Sequence, residues 1–318
     1  MFAHILVPLD GSSLAECVLP HAVSMTKAMG AKITLLRVVE QAEMGGRTRS
    51  IDPMEWHFSK AEADAYLKEV TGRFGAVGIR PEQVLLEGQP ALRVIDYAHA
   101  NRVDLIVLSS HGRSGLSGWN VSSVVQRILW RARTSVLLIP AYQPASSDLT
   151  GLRYGRILVP LDGSQRAECV LPLVMALARE QGSQVLLSHV VRRPELPRRA
   201  PASREDQALA DQLTERNRLE AAKYLEELQS RLPFSVSTHL QVTEHVTAAL
   251  HLLAPQEKVD LVIISAHGYS GGTQWPYGSL AISFIAYGSS PLLIVQDLGP
   301  EEIGPTEAEL AVGERQKN

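Results

Sequence analysis

The sequence predicts an α/β protein: two tandem open parallel five-stranded sheets with helices on both faces. Three observations carry that expectation. The stretch ILVPLDGSSLAECVLP at 5–20 returns as ILVPLDGSQRAECVLP at 157–172, and of these 16 aligned positions only Ser13/Gln165 and Leu14/Arg166 differ. Repetition this close marks a duplicated unit. Within each copy, short β-branched runs alternate with amphipathic helical stretches, the order that a parallel sheet covered by helices imposes on a chain. The 318 residues also exceed one typical domain and fit two.

In copy one the apolar runs place strands at 4–8, 32–38, 83–87, 104–109 and 135–139, with helices at 13–29, 59–76, 90–101 and 121–131. In copy two the strands fall at 156–160, 184–190, 235–242, 260–265 and 291–295; the longest helix, 206–232, is full of Glu, Arg, Leu and Ala, and SLAISFIAYG forms the last. The register between copies drifts from 152 residues at the first strand to 156 at His111/His267, so the loops have diverged around a shared architecture. The Pro, Ser and Gly content of AYQPASSDLTGLRYG marks a linker, giving a first domain at 1–142, a linker at 143–154 and a second domain at 155–297. The stretch after Gln296, DLGPEEIGPTEAELAVGERQKN, is acidic and broken by Gly and Pro. A frayed or loosely docked tail is expected there, with 298–318 outside the second domain.

A chain with 45% hydrophobic and 20% charged residues can bury ordinary globular cores. Its formal net charge of −3 gives no general electrostatic reason to bind nucleic acid or an anionic membrane. No apolar run approaches the roughly 18 residues of a membrane-spanning helix. The opening MFAHILVPLDGSS lacks a basic n-region and reaches Asp10 before an apolar h-region forms, so a cytoplasmic location is expected. Cys17 and Cys169 occupy equivalent places in apolar helical patterns and read as free buried thiols.

Two polar stretches carry the chemistry: HGRSGLSGWNVSS at 111–123 and HGYSGGTQWPYGS at 267–279, each directly after a buried strand. In an open α/β sheet, ligands bind at the carboxyl ends of strands where the strand order reverses, and a helix starting there points its amides at an anion. The first strand of each copy ends in Asp10 or Asp162 followed by Gly-Ser, and it faces the His-Gly loop if strands one and four are neighbours. An acidic side chain accepts hydrogen bonds from ribose hydroxyls or a base amine. Glycines such as Gly268 and Gly278 let main-chain N–H groups come close to phosphate oxygens. Gly278 and Ser279 would start the last helix and present its positive dipole end. A nucleotide fits that description.

These residues resemble the ATP-binding signature of the universal stress protein family: a glycine, two residues, a second glycine, nine residues, then Gly-Ser or Gly-Thr. Ser265-Ala-His-Gly268, nine residues and Gly278-Ser279 match every part but the first glycine, whereas Ser109-Ser-His-Gly112, nine residues and Ser122-Ser123 depart at the first and the third. The repeated VPLD is similar to the family as well. The resemblance implies a Rossmann-like tandem fold over nearly the whole chain, a nucleotide-binding role in the stress response, and ATP, ADP or AMP as cofactor, with Mg accompanying the nucleotide. It implies adenosine contacts at Pro8, Leu9, Asp10 and Val38, and at Pro160, Leu161, Asp162 and Val190. Phosphate and ribose contacts would fall on Ser110, His111, Gly112, Ser122 and Ser123, and on Ala266, His267, Gly268, Gly278 and Ser279. The family's pairing through its last strand implies an intramolecular pseudo-dimer, with a homodimer as a further association. Because Ser122 adds a Cβ where a phosphate comes close, copy two is expected to bind better.

Plainer readings stand beside these. Asp10 and Asp162 either meet a ligand or cap the next helix, and Ser13-Leu-Ala-Glu16 has capping-box spacing. His111 and His267 hold their loops or transfer protons, the former being favoured. Trp119 and Trp275 staple loop to helix or stack on a base. Gly268-Tyr-Ser270-Gly-Gly272 matches a nucleophile elbow, but Pro276 delays the helix and copy one has Leu116 at the last glycine. Arg192, Arg193, Arg198 and Arg199 form a solvated loop or reach phosphates. No Walker loop, Cys-x-x-Cys or His-Glu-x-x-His is present. An interaction module with degenerate crevices, or a slow ATPase, are the competing functions, and no catalytic residue is assigned.

Overall fold

The computed structural model describes residues 1–40, 43–44, 47–48, 53–113, 121–141, 148–194, 203–269 and 276–297. Copy one runs β1 (His4–Leu9), a 3-10 turn (Ala15–Val18), α1 (Leu19–Met29), β2 (Lys32–Val39), a short hairpin of β3 (Glu43–Met44) and β4 (Arg47–Thr48), α2 (Pro53–Gly75), β5 (Glu82–Glu87), α3 (Pro90–Ala100), β6 (Leu105–Ser109), α4 (Ser123–Arg131) and β7 (Ser135–Ile139). Copy two runs β8 (Arg156–Pro160), α5 (Gln165–Glu168), α6 (Leu171–Gln181), β9 (Gln184–Arg192), α7 (Arg204–Arg231), β10 (Val236–Thr243), α8 (Val246–Gln256), β11 (Leu261–Ser265), α9 (Ser279–Tyr287) and β12 (Leu292–Val295).

The single helix expected at 13–29 is two pieces, a 3-10 turn and α1. Pro20 explains the break. It lies in the first turn of α1, where no amide donor is needed, and its ring would clash with the carbonyl four residues back in a continuous helix. Pro172 does the same between α5 and α6. Helix α2 starts at Pro53, ahead of the expected 59.

Apart from the β3–β4 hairpin, the described strands form one sheet in the order β10-β9-β8-β11-β12-β7-β6-β1-β2-β5. Each half is parallel, and the halves join where β12 runs antiparallel to β7, with Leu292 opposite Leu138 and Ile294 opposite Val136. The two expected five-stranded sheets are therefore halves of a single ten-stranded one. β7 and β12 are buried at every position, which is why both read as unbroken apolar runs: central strands are covered on both faces. The edges β5 and β10 are half exposed and more polar.

One apolar layer packs α1, α2, α6 and α7 on one face through Leu19, Val70, Leu173 and Leu225; the other packs α3, α4, α8 and α9 through Val94, Val125, Leu250 and Ala281. Both layers cross the β7–β12 seam. On the first face the copies also touch through polar groups: His21 Nδ1 lies 2.7 Å from the Tyr154 hydroxyl, and Gln181 Nε2 donates to Ser24 Oγ at 2.6 Å. Burial pushes the His21 imidazole down to about 4. Among the described residues no helix is long and apolar enough to cross a membrane.

β1 lies between β2 and β6, and β8 between β9 and β11. The strand order reverses at these two points, so a crevice opens above each at the carboxyl ends.

Candidate functional site

Just past β1, Asp10 Oδ1 accepts from the amide and hydroxyl of Ser12 at 2.9 and 2.6 Å, and Oδ2 accepts from the Arg113 amide across the crevice. Copy two repeats this. Asp162 Oδ1 takes the Ser164 amide and hydroxyl at 3.0 and 2.6 Å, and Oδ2 takes the Tyr269 amide at 2.6 Å. Burial raises the Asp162 carboxyl, but the hydrogen bonds from Ser164 and Tyr269 outweigh it and hold the group below its ordinary value. A Cβ on Gly112 or Gly268 would overlap Asp10 Oδ2 or Asp162 Oδ2, so each glycine makes room for the carboxylate that clasps its loop. Ser164 caps α5, its Oγ accepting from Ala167 N–H at 3.1 Å, and Ser12 Oγ accepts from Ala15 N–H at 3.1 Å ahead of the 3-10 turn. The box expected from Ser13 to Glu16 does not form; Glu16 instead takes Arg73 Nη1 at 2.6 Å.

The helices beyond the loops differ at their first residue. In copy one Ser122 caps α4, its Oγ accepting from Val125 N–H at 3.3 Å. In copy two Gly278 stands there, and α9 has no side-chain cap. The amide of Gly278 is not the outward donor expected: it donates to the Ala266 carbonyl at 2.7 Å, as Ser122 N–H does to Ser110 O at 2.8 Å. The donors left are those of 279–281, which precede the first intrahelical bond from Ile282 to Gly278.

Both histidines are buried and hold their loops. His111 Nδ1 is 3.1 Å from Ser110 Oγ, which in turn accepts from the Ala141 amide at 3.0 Å. Copy two has Ala266 in place of Ser110, and there His267 Nδ1 lies 2.8 Å from Asp297 Oδ1, which also accepts the His267 amide at 3.1 Å. Arg166 Nε approaches Asp297 Oδ2 at 3.7 Å, and the aspartate side chain is 1% exposed. Asp297 is thus an anchor of the second unit rather than the start of a loose tail.

The crevices are unequal. Copy one has a cavity of about 590 Å³ that brings together Pro8, Leu9, Asp10, Val38, His111, Gly112, Ser122 and Ser123, with Arg37, Glu62, Tyr66 and Arg113 also on its walls. Ser110 lies beneath it, spent on the loop. Copy two has a cavity of about 460 Å³ on the helix side of its loop, lined by Pro160, Ala266, His267, Gly268, Gly278 and Ser279 together with Trp130. Leu161, Asp162 and Val190 do not line it; Leu161 is in the core and Val190 packs against the other layer.

Sequence reasoning missed Arg37, Arg113, Asp297 and Trp130. Arg37 was legible, because β2 and β9 are equivalent and carry Arg37 against His189, a charge difference at the strand end. Arg37 Nη1 donates to Leu9 O at 3.2 Å; burial lowers its pKa while Asp10 acts the other way. Burial likewise lowers His189, with Asp162 opposing. Among the described residues, copy one's cavity therefore carries two guanidinium groups, whereas copy two's lining has neither Arg nor Lys and its positive end is the start of α9. Trp119, Trp275, the Ser270 elbow and Arg198 and Arg199 lie outside the described residues. Arg193 pairs with Asp211 rather than standing free over a crevice.

A duplicated open α/β sheet, with a carboxylate-clasped glycine loop and a helix N-terminus at each reversal of strand order, defines a class of crevice-bearing α/β folds. The chain belongs to the universal stress protein family, whose profile matches residues 1–140 and again 153–296. It is 28% identical over 145 residues to a universal stress protein of Methanocaldococcus jannaschii, a match spanning 44% of this chain and 82% of that protein. A relative from Mycobacterium bovis is 31% identical over 141 residues, covering 43% of this chain and 45% of that one. Among solved structures, a universal stress protein of Archaeoglobus fulgidus superposes with a TM-score of 0.66 at 18% identity, covering 93% of this chain and 98% of the other. That likeness is one of fold.

Proposed function

We propose that the chain binds an adenine nucleotide, ATP foremost, with the phosphates at the start of α9 in copy two. The observation that carries this reading is the uncapped α9 N-terminus. Gly278 offers no side chain, so the amides of 279–281 have no intrahelical acceptor and no internal cap, and they border a cavity of about 460 Å³. Ala266, His267, Gly268 and Ser279 line the same wall and are the proposed phosphate and ribose contacts, with Pro160 beneath. Asp162, Leu161 and Val190 lie at the adjoining strand ends and are the proposed adenosine side. A magnesium ion would accompany the nucleotide's phosphates; among the described residues no three His, Cys, Asp or Glu side chains converge on a metal position. Occupancy serves as the signal; the units at 1–142 and 155–297 act as a pseudo-dimer in the cytoplasm. The β7–β12 pairing and the α1–α6 contact of Ser24 with Gln181 support that pairing.

In copy one a specific observation favours the second reading, an interaction module. Ser122 already satisfies one donor of α4, leaving fewer amides for a ligand in the crevice that Pro8, Leu9, Asp10, Val38, His111, Gly112 and Ser123 line. Calorimetric titration of the full chain with ATP, ADP, AMP and cAMP tests both readings. Saturable ATP binding near one equivalent per chain is expected; absence of heat up to millimolar nucleotide would remove the nucleotide reading and leave the interaction module.

A further inference from the structure

We infer that Trp130, a residue of copy one, is a wall of copy two's site and sets how strongly that site prefers a phosphate-bearing ligand. The inference rests on the nucleotide reading above and names a residue that reading leaves out. Trp130 lies at the C-terminal end of α4 and is half-buried. It lines the copy-two cavity alongside Gly268, Gly278 and Ser279. Its ring stands edge-on to that of Tyr277, centroids 6.5 Å apart and planes at 67°, and Tyr277 is buried directly before Gly278. The antiparallel β7–β12 seam brings the end of one last helix to the start of the other.

The arrangement is one-sided. By the same pairing of the copies, α9 carries Ala286 where α4 carries Trp130, and among the described residues the cavity of copy one is lined by copy-one residues alone. A large apolar ring beside uncapped amides lowers the local dielectric and keeps water from competing with an anion, so those donors bind phosphate more strongly. The effect is greatest at the phosphate end, because the cavity that the ring lines is walled by the ends of β8 and β11, the loop and the first turn of α9, and among the described residues by none from β9. Copy one thereby completes the site of copy two, and the ring reports occupancy to the helix that carries it.

The test uses the full chain. ATP and adenosine affinities are measured by calorimetry for wild type, Trp130→Ala and Trp130→Phe, and the emission of a chain retaining Trp130 alone (Trp56, Trp119 and Trp275 each changed to Phe) is followed during ATP titration. Expected are an ATP affinity about tenfold weaker in Trp130→Ala with adenosine changed by less than about twofold, partial recovery in Trp130→Phe, and a saturable change in Trp130 emission. A merely structural role would weaken both ligands alike, and that outcome overturns the inference. Wild-type ATP affinity in Trp130→Ala with unchanged emission also overturns it while leaving the nucleotide reading intact. Absence of ATP binding to the wild type overturns both.

Discussion

The two copies anchor the same histidine by different chemistry. In copy one the positions are Leu14, Ser110 and Ala141, and the neutral Ser110 hydroxyl bridges the His111 ring to the Ala141 amide just past the last strand. In copy two the corresponding positions are Arg166, Ala266 and Asp297, and a buried carboxylate between a histidine and a guanidinium replaces the hydroxyl. All three positions change together, and the loop geometry survives. The lesson is that duplication preserved a mechanical task, holding the strand-to-helix loop on the final strand, while freeing the helix start for separate use. Ser122 caps one donor of that start in copy one. Gly278 leaves it open in copy two.

Removing the anchors is the hardest way to break this comparison. Asp297→Ala strips a buried carboxylate from His267 and Arg166 and is expected to destabilise copy two by about 4 kcal/mol, whereas Ser110→Ala, which removes a neutral hydrogen bond, costs about 1 kcal/mol. Denaturant unfolding of both variants reads the contrast; equal losses would mean that the carboxylate is not the stronger clasp.

The seam between copies gives the next largest effect. The folded His21 pKa of about 4 lies below its ordinary 6.5, so the unfolded chain takes up the proton first, and stability is full above 6.5 and falls as pH drops toward 4. Over that window the site contributes a loss of about 3 kcal/mol, which His21→Gln should flatten. Copy two has Leu173 at the equivalent place, and Leu173 variants should leave the slope unchanged. Stability measured at several pH values between 4 and 7 checks this.

Much of this was legible. The strand at 4–8 is β1 to within a residue, and the run before His267 is β11, because parallel strands buried on both faces leave unbroken apolar sequence. The crevice position followed from Asp10 and Asp162 at strand ends. Three things were not legible. Pro20 looked like helix interior, since the local pattern does not show that a 3-10 turn precedes it. Asp297 looked like tail because acidic, glycine- and proline-rich sequence follows it; its partner is 30 residues away, so only the sheet brings them together. Trp130 aligned with Ala286 in the repeat, but which helix ends meet depends on the antiparallel seam, a contact that neither copy encodes alone.

The smallest structural change bears on the central claim, that the open start of α9 is what holds phosphate. Gly278 has φ of −71°, and a Cβ there would lie 3.4 Å from its nearest neighbour, the Ala266 carbonyl, so Gly278→Ser fits the fold and imports copy one's cap. Calorimetric titration of the full-length Gly278→Ser chain with ATP, beside wild type, measures the consequence directly. The account predicts about one equivalent bound by wild type and an affinity about tenfold weaker in the variant, with folding stability retained. Identical affinity in the two chains would contradict it.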